Sequence, residues 1–408
     1  MCRRLEWAVV RDRDSGTRRM LAGLLDVIGN TALDDLTDAV SEQGRSAGFA
    51  EVRLYIGDVE RRALHLLPGR GTAVPAQHTV PIGGTLPGRA YQYGEVIADH
   101  APSSTGFPYW VPLSIGLERV GLMLVISTEP GDGVAEDARL LAPLVAMAIV
   151  SKRGHSDTYA RLNRTRSMNV AAEALWHLLP PRTYQDSRVA LTATLEPSYQ
   201  ISGDAYDYSL DGPLIHLSIF DAMGHDTAAG QVAALALAAA RSARHRGAGI
   251  AEAGYAIERE LNTQFDGVRF ATAVLATLDT RSGMLSWASF GHHPVLLLRG
   301  AEGVRLQCRP AYPLGTGLPG LETTVCHVGL EPGDRIALYT DGITEARRPG
   351  AREFGMHRLI AYLTRHHADD LSVPETVRRF VHAFIDYHDG HLQDDATVLL
   401  CEWLGPDI

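Results

Sequence analysis

Lysine is all but missing from this chain: Lys152 is the single one among 38 basic side chains. A phosphate-binding P-loop needs a lysine at the end of a glycine-rich turn, and a protein kinase needs a strand lysine on the ATP phosphates. Schiff-base chemistry needs a lysine amine. Lys152 sits in none of these contexts. A GC-rich genome accounts for the arginine bias, and the exclusions hold all the same. Cysteine is scarce too, four in 408 residues. Cys2, Cys308, Cys326 and Cys401 are scattered with no C-x-x-C, so neither a structural zinc site nor a disulfide framework is expected. No apolar run approaches the ~20 residues of a membrane span. The longest candidate, VAALALAAARSARH after Gln231, closes on Arg and His and reads as a buried soluble helix. The first residues, MCRRLEWAVVRDRDSGTRR, carry charge but no apolar core of a signal peptide. Positive charge is in deficit overall, with a formal net charge of -10, which disfavours binding to nucleic acid. These absences place the chain in the cytoplasm, away from membranes and nucleic acid.

With 45% hydrophobic and 21% charged residues the chain is globular, and its length fits two domains and a connector. Residues 1–19 are expected to be a tail. From Met20 to Arg153, Met20-Leu21, Leu24-Leu25 and Val27-Ile28 recur at helical spacing. The strand Val52-Arg53-Leu54-Tyr55-Ile56 follows, then VPIGGTLPGRAYQYGEVIADH, WVPLSIGLERVGLMLVIST and a closing helix EDARLLAPLVAMAIV. Strands framed by two helices suggest an α+β sensor domain over 20–153. Residues 154–181 read as a helical connector that stops at Pro180-Pro181. In it Leu162, Met168, Ala172, Leu175 and Leu179 alternate by threes and fours. Such a helix either pairs with its copy as a short coiled coil in a homodimer or packs on its own domain. Over 182–405, strand candidates (VALTATL, LIHLSIFD, TAVLATLD, MLSWASFG, VLLLR, RIALYTD, ATVLLCEW) alternate with helices near 227–246, 250–265, 356–365 and 373–388. Short turns between strands predict largely antiparallel sheets, two of them, covered by helices.

Carboxylates sit at the mouths of these apolar strands. Asp221 ends LIHLSIF and Asp341 ends RIALYT, each followed by a sharp turn. Asp394-Asp395 precede ATVLL, and Asp204 lies in SGDAYD ahead of a hairpin. A lone strand-end aspartate is usually a turn residue, but here every member of the set occupies the same kind of position. Buried carboxylates are costly and repel one another, and cations resolve both problems. Oxygen ligands without His or Cys select a hard ion, Mg²⁺ or Mn²⁺. Two such ions sharing a carboxylate can activate water for in-line attack on phosphorus.

"PIGGTLPGRAY", "WVPL" and "RVGLMLVI" resemble segments of a GAF domain. The resemblance implies a small-molecule ligand of a kind the sequence does not name, or a domain that only dimerises. "LLPP", "ISGDAYDY", "FDAMGHD", "FATAVLATLD", "GHHPVLLL", "PLG", "LEPGDRIALYTDGITEAR", "EFG" and "DDATVLL", in that order over 178–403, resemble the SpoIIE-type branch of the protein phosphatase 2C-like (PPM) family. The fold so implied is α+β: a GAF-like α/β sensor domain followed by an αββα sandwich of the protein phosphatase 2C-like type. The activity implied is metal-dependent hydrolysis of phosphoserine or phosphothreonine on a partner protein, an anti-sigma-factor antagonist in many such relatives. By the same resemblance Asp221 bridges two ions, and Asp341 and Asp394 complete the first. Asp204 helps hold the second, and the Ala222 carbonyl is a further ligand.

The family's "GGD" is Ser202-Gly203-Asp204 here, its "M-G-H-G" ends in Asp226, and its "AGH" is Phe290-Gly291-His292. Asp226 either strains a left-handed position or caps the next helix. His225 is a candidate acid or a loop residue. Gly291, His292 and Gly342 read as turn-shaping, and Thr340 and Thr344 as orienting hydroxyls. Asp207 reads as an outer partner of the cluster, and Asp395 as a spare ligand or a cap. A catalytically silent scaffold that binds a phosphoprotein, and a small-molecule phosphohydrolase, are the alternative functions.

Overall fold

A computed structural model describes residues 2–70, 79–99, 106–197, 199–200, 203–224, 226–319, 322–346, 353–369, 371–389, 392 and 394–406, with backbone alone for 2–14. The chain divides into two units, Met1–Ser167 and Met168–Ile408, each with a hydrophobic core of its own. Among the described residues no helix is long and apolar enough to cross a membrane.

The first unit runs α1 (Cys2–Ile28), α2 (Leu33–Gly44), β1 (Phe49–Gly57), β2 (Ala63–Leu67), β3 (Thr79–Pro81), α3 (Leu86–Tyr93), β4 (Ile97–Ala98), β5 (Phe107–Ile115), β6 (Glu118–Ser127), α4 (Asp132–Arg153) and α5 (Asp157–Asn163). Its strands form one antiparallel sheet ordered β3-β2-β1-β6-β5-β4. The period of two in β1 and β6 divides the apolar residues between its faces. Val52, Leu54, Ile56, Met123 and Val125 join Leu36, Leu141 and Val145 of the helices. Tyr55, Leu122, Leu124 and Ile126 cluster with Ala90 and Tyr91 of α3. Of residues 1–19, expected as a tail, the described ones, 2–19, are helical within α1.

The second unit opens with α6 (Val170–Leu178), β7 (Thr183–Gln185), β8 (Val189–Glu196), β9 (Asp204–Asp211), β10 (Leu214–Ala222), α7 (Thr227–His245) and α8 (Ile250–Phe265). It continues with β11 (Ala271–Asp279), β12 (Met284–Phe290), β13 (Leu296–Arg299), β14 (Glu302–Arg305), β15 (Cys326–Gly329), β16 (Arg335–Tyr339), α9 (Asp341–Thr344), α10 (Met356–Ala368), α11 (Val373–Tyr387) and β17 (Ala396–Trp403). Two antiparallel sheets result, β15-β12-β11-β10-β9 and β14-β13-β16-β17-β8-β7. Helices α7 and α8 pack on the first, α10 and α11 on the second. One core joins Leu217, Ile219 and Leu275 of the first sheet with Leu191, Ile336 and Leu399 of the second.

Two expectations are corrected here. Residues 154–181 are not one connector helix: α5 ends at Asn163, α6 starts at Val170, and the two lie in different units. Ala172, Leu175 and Leu179 are buried in the core of the second unit. The three-four pattern is therefore an ordinary amphipathic face, and the coiled-coil argument for a homodimer falls with it. The cysteines are not all unpaired either, since Cys308 and Cys326 form a disulfide, with Cα atoms 5.9 Å apart. Pairing of Trp287 with Cys326 lays β15 along β12, and the Ala311 N–H donates to the Ser289 carbonyl beside it. Tertiary pairing thus brings together cysteines that sequence spacing keeps 18 residues apart.

Leu175→Ala should cost the second unit about 2–5 kcal/mol while leaving the first unit's unfolding unchanged. Urea unfolding followed by a probe in each unit checks both halves of that expectation.

Candidate metal centre

Strand β10 is apolar along Ile215, Leu217 and Ile219 and ends on Asp221, which pairs in register with Asp204 at the start of β9. On the other sheet, Asp341 opens the single turn α9 directly after β16, and Asp394 and Asp395 precede β17. The two sheets are tied together at this edge by polar bonds. Asp395 Oδ2 accepts the backbone N–H groups of Gly203 (2.8 Å) and Asp204 (3.3 Å). Asp204 Oδ2 accepts the hydroxyls of Thr340 (2.7 Å) and Thr397 (2.6 Å). The Thr340 hydroxyl oxygen also accepts the Thr397 N–H at 3.0 Å.

Two glycines permit this closeness. A Cβ on Gly342 would stand 1.8 Å from the Asp395 carbonyl oxygen, and one on Gly203 would stand 2.8 Å from that of Ala222. Both are fatal contacts with backbone, so Gly342 does more than shape a turn.

The electrostatics follow from the crowding. Asp221 is pushed up to about 7 by burial first, then by Asp341 and Asp394, with the Thr272 hydroxyl opposing and Asp395 adding to the rise. Asp204, 3% exposed, lies well above the usual carboxylate range because of burial, Asp221 and Asp395, against which its two threonine bonds act. Asp341 is raised by burial and by Glu345, and held back by His293. The structure thus brings Asp204, Asp221, Asp341 and Asp394 into one electrostatic cluster and adds Asp395 to it. Asp204 enters with one oxygen already committed to two hydroxyls.

Several neighbouring residues turn out to be braces. The His292 ring is buried and its pKa lowered to about 3, by desolvation first and then by His293. Neutral, it donates Nε2–H to the Tyr339 carbonyl (3.0 Å) and accepts the Thr272 hydroxyl at Nδ1 (2.6 Å). It therefore spans β16 of one sheet and β11 of the other, beside the strand ends that carry Asp341 and Asp221. The Thr272 oxygen lies 3.4 Å from Asp221 Oδ2, the longer of its two contacts. Asp226 takes the extended conformation (φ -103°) and caps α7, accepting the Ala229 N–H at 2.9 Å. Asp226 is therefore a cap under no left-handed strain. Its carboxylate also pairs with Arg269 at 2.8 Å, and the Arg269 guanidinium donates to the Met223 carbonyl, clamping the loop after Asp221.

Other expectations fare differently. Asp207, three residues from Asp204 on β9, faces the opposite side and is held by Arg241 and Arg244 of α7, so it is not an outer partner of the cluster. Thr344 bonds the Asp341 carbonyl (3.4 Å), a local turn contact, while Thr340 orients Asp204 and not Asp341. Gly291 holds φ +68°, as a turn residue would. The peptide that carries the Ala222 carbonyl is fixed by its own N–H, that of Met223, which donates to the Phe270 carbonyl at 3.0 Å. His225 and Ser202 lie outside the described residues. Sequence reasoning passed over Thr272, Thr397, Arg269, His293 and Glu345. Thr272 in "FATAVLATLD", His293 in "GHHPVLLL", Glu345 in "LEPGDRIALYTDGITEAR" and Thr397 in "DDATVLL" lay inside quoted motifs, whereas Arg269 carried no signal.

Residues 211–404 match the family model described as Stage II sporulation protein E (SpoIIE). Among curated proteins the chain is similar to Protein IcfG of Synechocystis sp., at 30% identity over 135 residues, 33% of this chain and 21% of that protein. It is also similar to Phosphoserine phosphatase RsbU of Bacillus subtilis, at 24% identity over 234 residues, 57% of this chain and 69% of RsbU. The match thus spans about a fifth of IcfG and about two thirds of RsbU. Among solved structures, the PP2C domain of SiaA from Pseudomonas aeruginosa aligns with a TM-score of 0.50 at 22% identity, covering 57% of this chain and 94% of that one. Likeness at that level establishes the fold.

The raised Asp221 has a thermodynamic signature. Metal-free protein binds more protons folded than unfolded between about pH 4 and 7, so stability is greatest at the acid end and is lost as pH rises through about 7. Urea midpoints across that range should fall in chelator. Saturating Mn²⁺ should flatten or reverse the trend, because a bound cation favours the ionised carboxylate.

Proposed function

We propose that this chain, whose residues 211–404 match the family model of Stage II sporulation protein E (SpoIIE), is a metal-dependent phosphoprotein phosphatase acting on phosphoserine or phosphothreonine. The observation that supports the reading is the crowding of carboxylates at one edge of the two sheets: Asp204 stands opposite Asp221 in register, and Asp341, Asp394 and Asp395 are near enough to raise the proton affinity of Asp221. Oxygen donors alone, crowded and partly desolvated, suit Mn²⁺ or Mg²⁺. Burial first, and then neighbouring carboxylates, raises the proton affinity of Asp204, Asp221 and Asp341, and divalent charge would relieve both.

In this reading Asp221, Asp341 and Asp394 hold one ion. Asp221, the Ala222 carbonyl and the remaining oxygen of Asp204 hold the second, Asp204 directly or through water. When bound, the pair of ions supplies charge neutralisation and an activated water for attack on the phosphoryl group. The chain's own work is positional. Asp395 pins Gly203 and Asp204 by their N–H groups. Thr340 and Thr397 fix the Asp204 rotamer, and His292 sets the spacing of β11 and β16. Arg269 and Asp226 immobilise the loop that follows Asp221.

The partner we infer is a phosphorylated protein of the anti-sigma-factor antagonist class in a bacterial partner-switching system. The likeness to RsbU, a phosphoserine phosphatase by name, supports this. Such a partner is cytoplasmic, and so is the phosphatase in this reading. The first unit is assigned as a GAF-like sensor that binds a small molecule and regulates the second. Its helix-flanked six-stranded antiparallel sheet supports that assignment. So does an open cleft of about 670 Å³ lined by Thr85, Arg89, Gln92, Tyr93 and Glu95 among others.

Asp221→Asn should lower turnover of a phosphoserine protein in Mn²⁺ by at least about 100-fold, since even outer partners of a metal site are worth 10–100-fold. Chelator should abolish wild-type activity, and Mn²⁺ should restore it. Full turnover in chelator or in Asp221→Asn would refute the reading. Tight phosphoprotein binding without hydrolysis would instead favour the silent scaffold.

A further inference from the structure

We propose that His293, Asp341 and Glu345 form a nitrogen-containing site for a divalent cation that accepts nitrogen as well as oxygen, such as Mn²⁺ or Zn²⁺, adjoining the all-oxygen centre and sharing Asp341 with it. One ligand atom from each of the three side chains lies within 4.8 Å of the other two. Around a single ion with donors at about 2.0–2.2 Å, ligand atoms stand no more than ~4.4 Å apart. The present separation therefore needs only a small closing movement. Glu345 can make it, because it is exposed while His293 and Asp341 are half-buried.

The backbone builds the arrangement. The Glu345 N–H donates to the Asp341 carbonyl at 2.7 Å across the single turn of α9. That i, i+4 relation sets both carboxylates on the same side of the turn. His293 follows His292, whose two ring bonds anchor this stretch to both sheets. The His293 ring is in turn stacked on Tyr339, with centroids 5.7 Å apart and planes inclined by 25°. The imidazole is thus held by an aromatic floor on the strand whose end carries Asp341.

The donor set is what separates this site from its neighbour. Asp204, Asp221 and Asp394 offer only oxygen, which suits Mg²⁺ and Mn²⁺. An imidazole with two carboxylates favours ions that accept nitrogen, Mn²⁺ and Zn²⁺ over Mg²⁺. The inference rests on the proposed phosphatase centre only through Asp341, and it stands or falls on ligand chemistry, not on turnover.

The test is pulsed electron paramagnetic resonance of the full chain loaded with Mn²⁺, with stoichiometry from a Mn²⁺ titration. Wild type should show ¹⁴N modulation from a coordinated imidazole. His293→Ala should lose it together with one ion per chain, and Glu345→Gln should weaken that ion by at least tenfold. Asp221→Asn should keep the ¹⁴N signal while losing Mn²⁺ from the oxygen centre. Circular dichroism melting confirms that each variant is folded. Mn²⁺ bound to wild type without ¹⁴N modulation, or undiminished modulation in His293→Ala, overturns this site and leaves the oxygen centre standing. A ¹⁴N signal in protein that shows no phosphatase activity keeps the site and sinks the phosphatase reading.

Discussion

Repulsion among carboxylates crowded between two sheets is the constraint around which the second unit is arranged. Asp221 and Asp204 are adjacent in register on one sheet, and the other sheet brings Asp341, Asp394 and Asp395 against them. Left alone, such a group of charges would prise the sheet edges apart. The fold opposes this with hydrogen bonds to the charged oxygens: two threonine hydroxyls on Asp204 and two backbone N–H groups on Asp395. Each favours the ionised form and so offsets part of the desolvation cost. The rest is left as raised proton affinity, which is the state a divalent cation exploits.

The same bonds explain why the edge is rigid. Asp395 and Thr397 flank the start of β17, Thr340 follows the end of β16, and all three reach the Gly203–Asp204 corner of the opposite sheet. His292 adds a neutral cross-brace from Thr272 to the Tyr339 carbonyl. A charged imidazole would have no acceptor left at Nδ1, so burial that keeps it neutral is part of the brace. Gly342 and Gly203 are glycines because backbone from a neighbouring segment occupies the space a Cβ would need. Asp226 is accommodated by its bonds: its carboxylate caps α7 and pairs with Arg269.

Much of this was legible before any coordinates. Apolar runs ending in Asp221 and Asp341, and the Asp394-Asp395 pair before ATVLL, marked strand mouths, because a carboxylate after an alternating run has to leave the core. The layered sandwich and most helix positions followed from the same periodicities. Local pattern failed where two structures share one period. The alternation from Leu162 to Leu179 reads as one helix in sequence, yet the stretch divides between α5 and α6 in different units, with Ala172, Leu175 and Leu179 buried in the second. The pattern likewise failed for the Cys308–Cys326 bond, which depends on β15 lying along β12.

Sequence by itself determined which residues could be acidic, apolar or turn-forming, and hence where strands end and charge collects, because those properties are local. Partnership was decided by tertiary structure alone. It made Asp207 a partner of α7 instead of the cluster, gave Asp204 rather than Asp341 the Thr340 hydroxyl, and brought His293 within reach of Asp341 and Glu345. A hydrogen bond or a shared ion requires atoms a few ångströms apart. Residues separated by up to 193 positions, as Thr397 and Asp204 are, reach that distance only when both sheets have formed and packed.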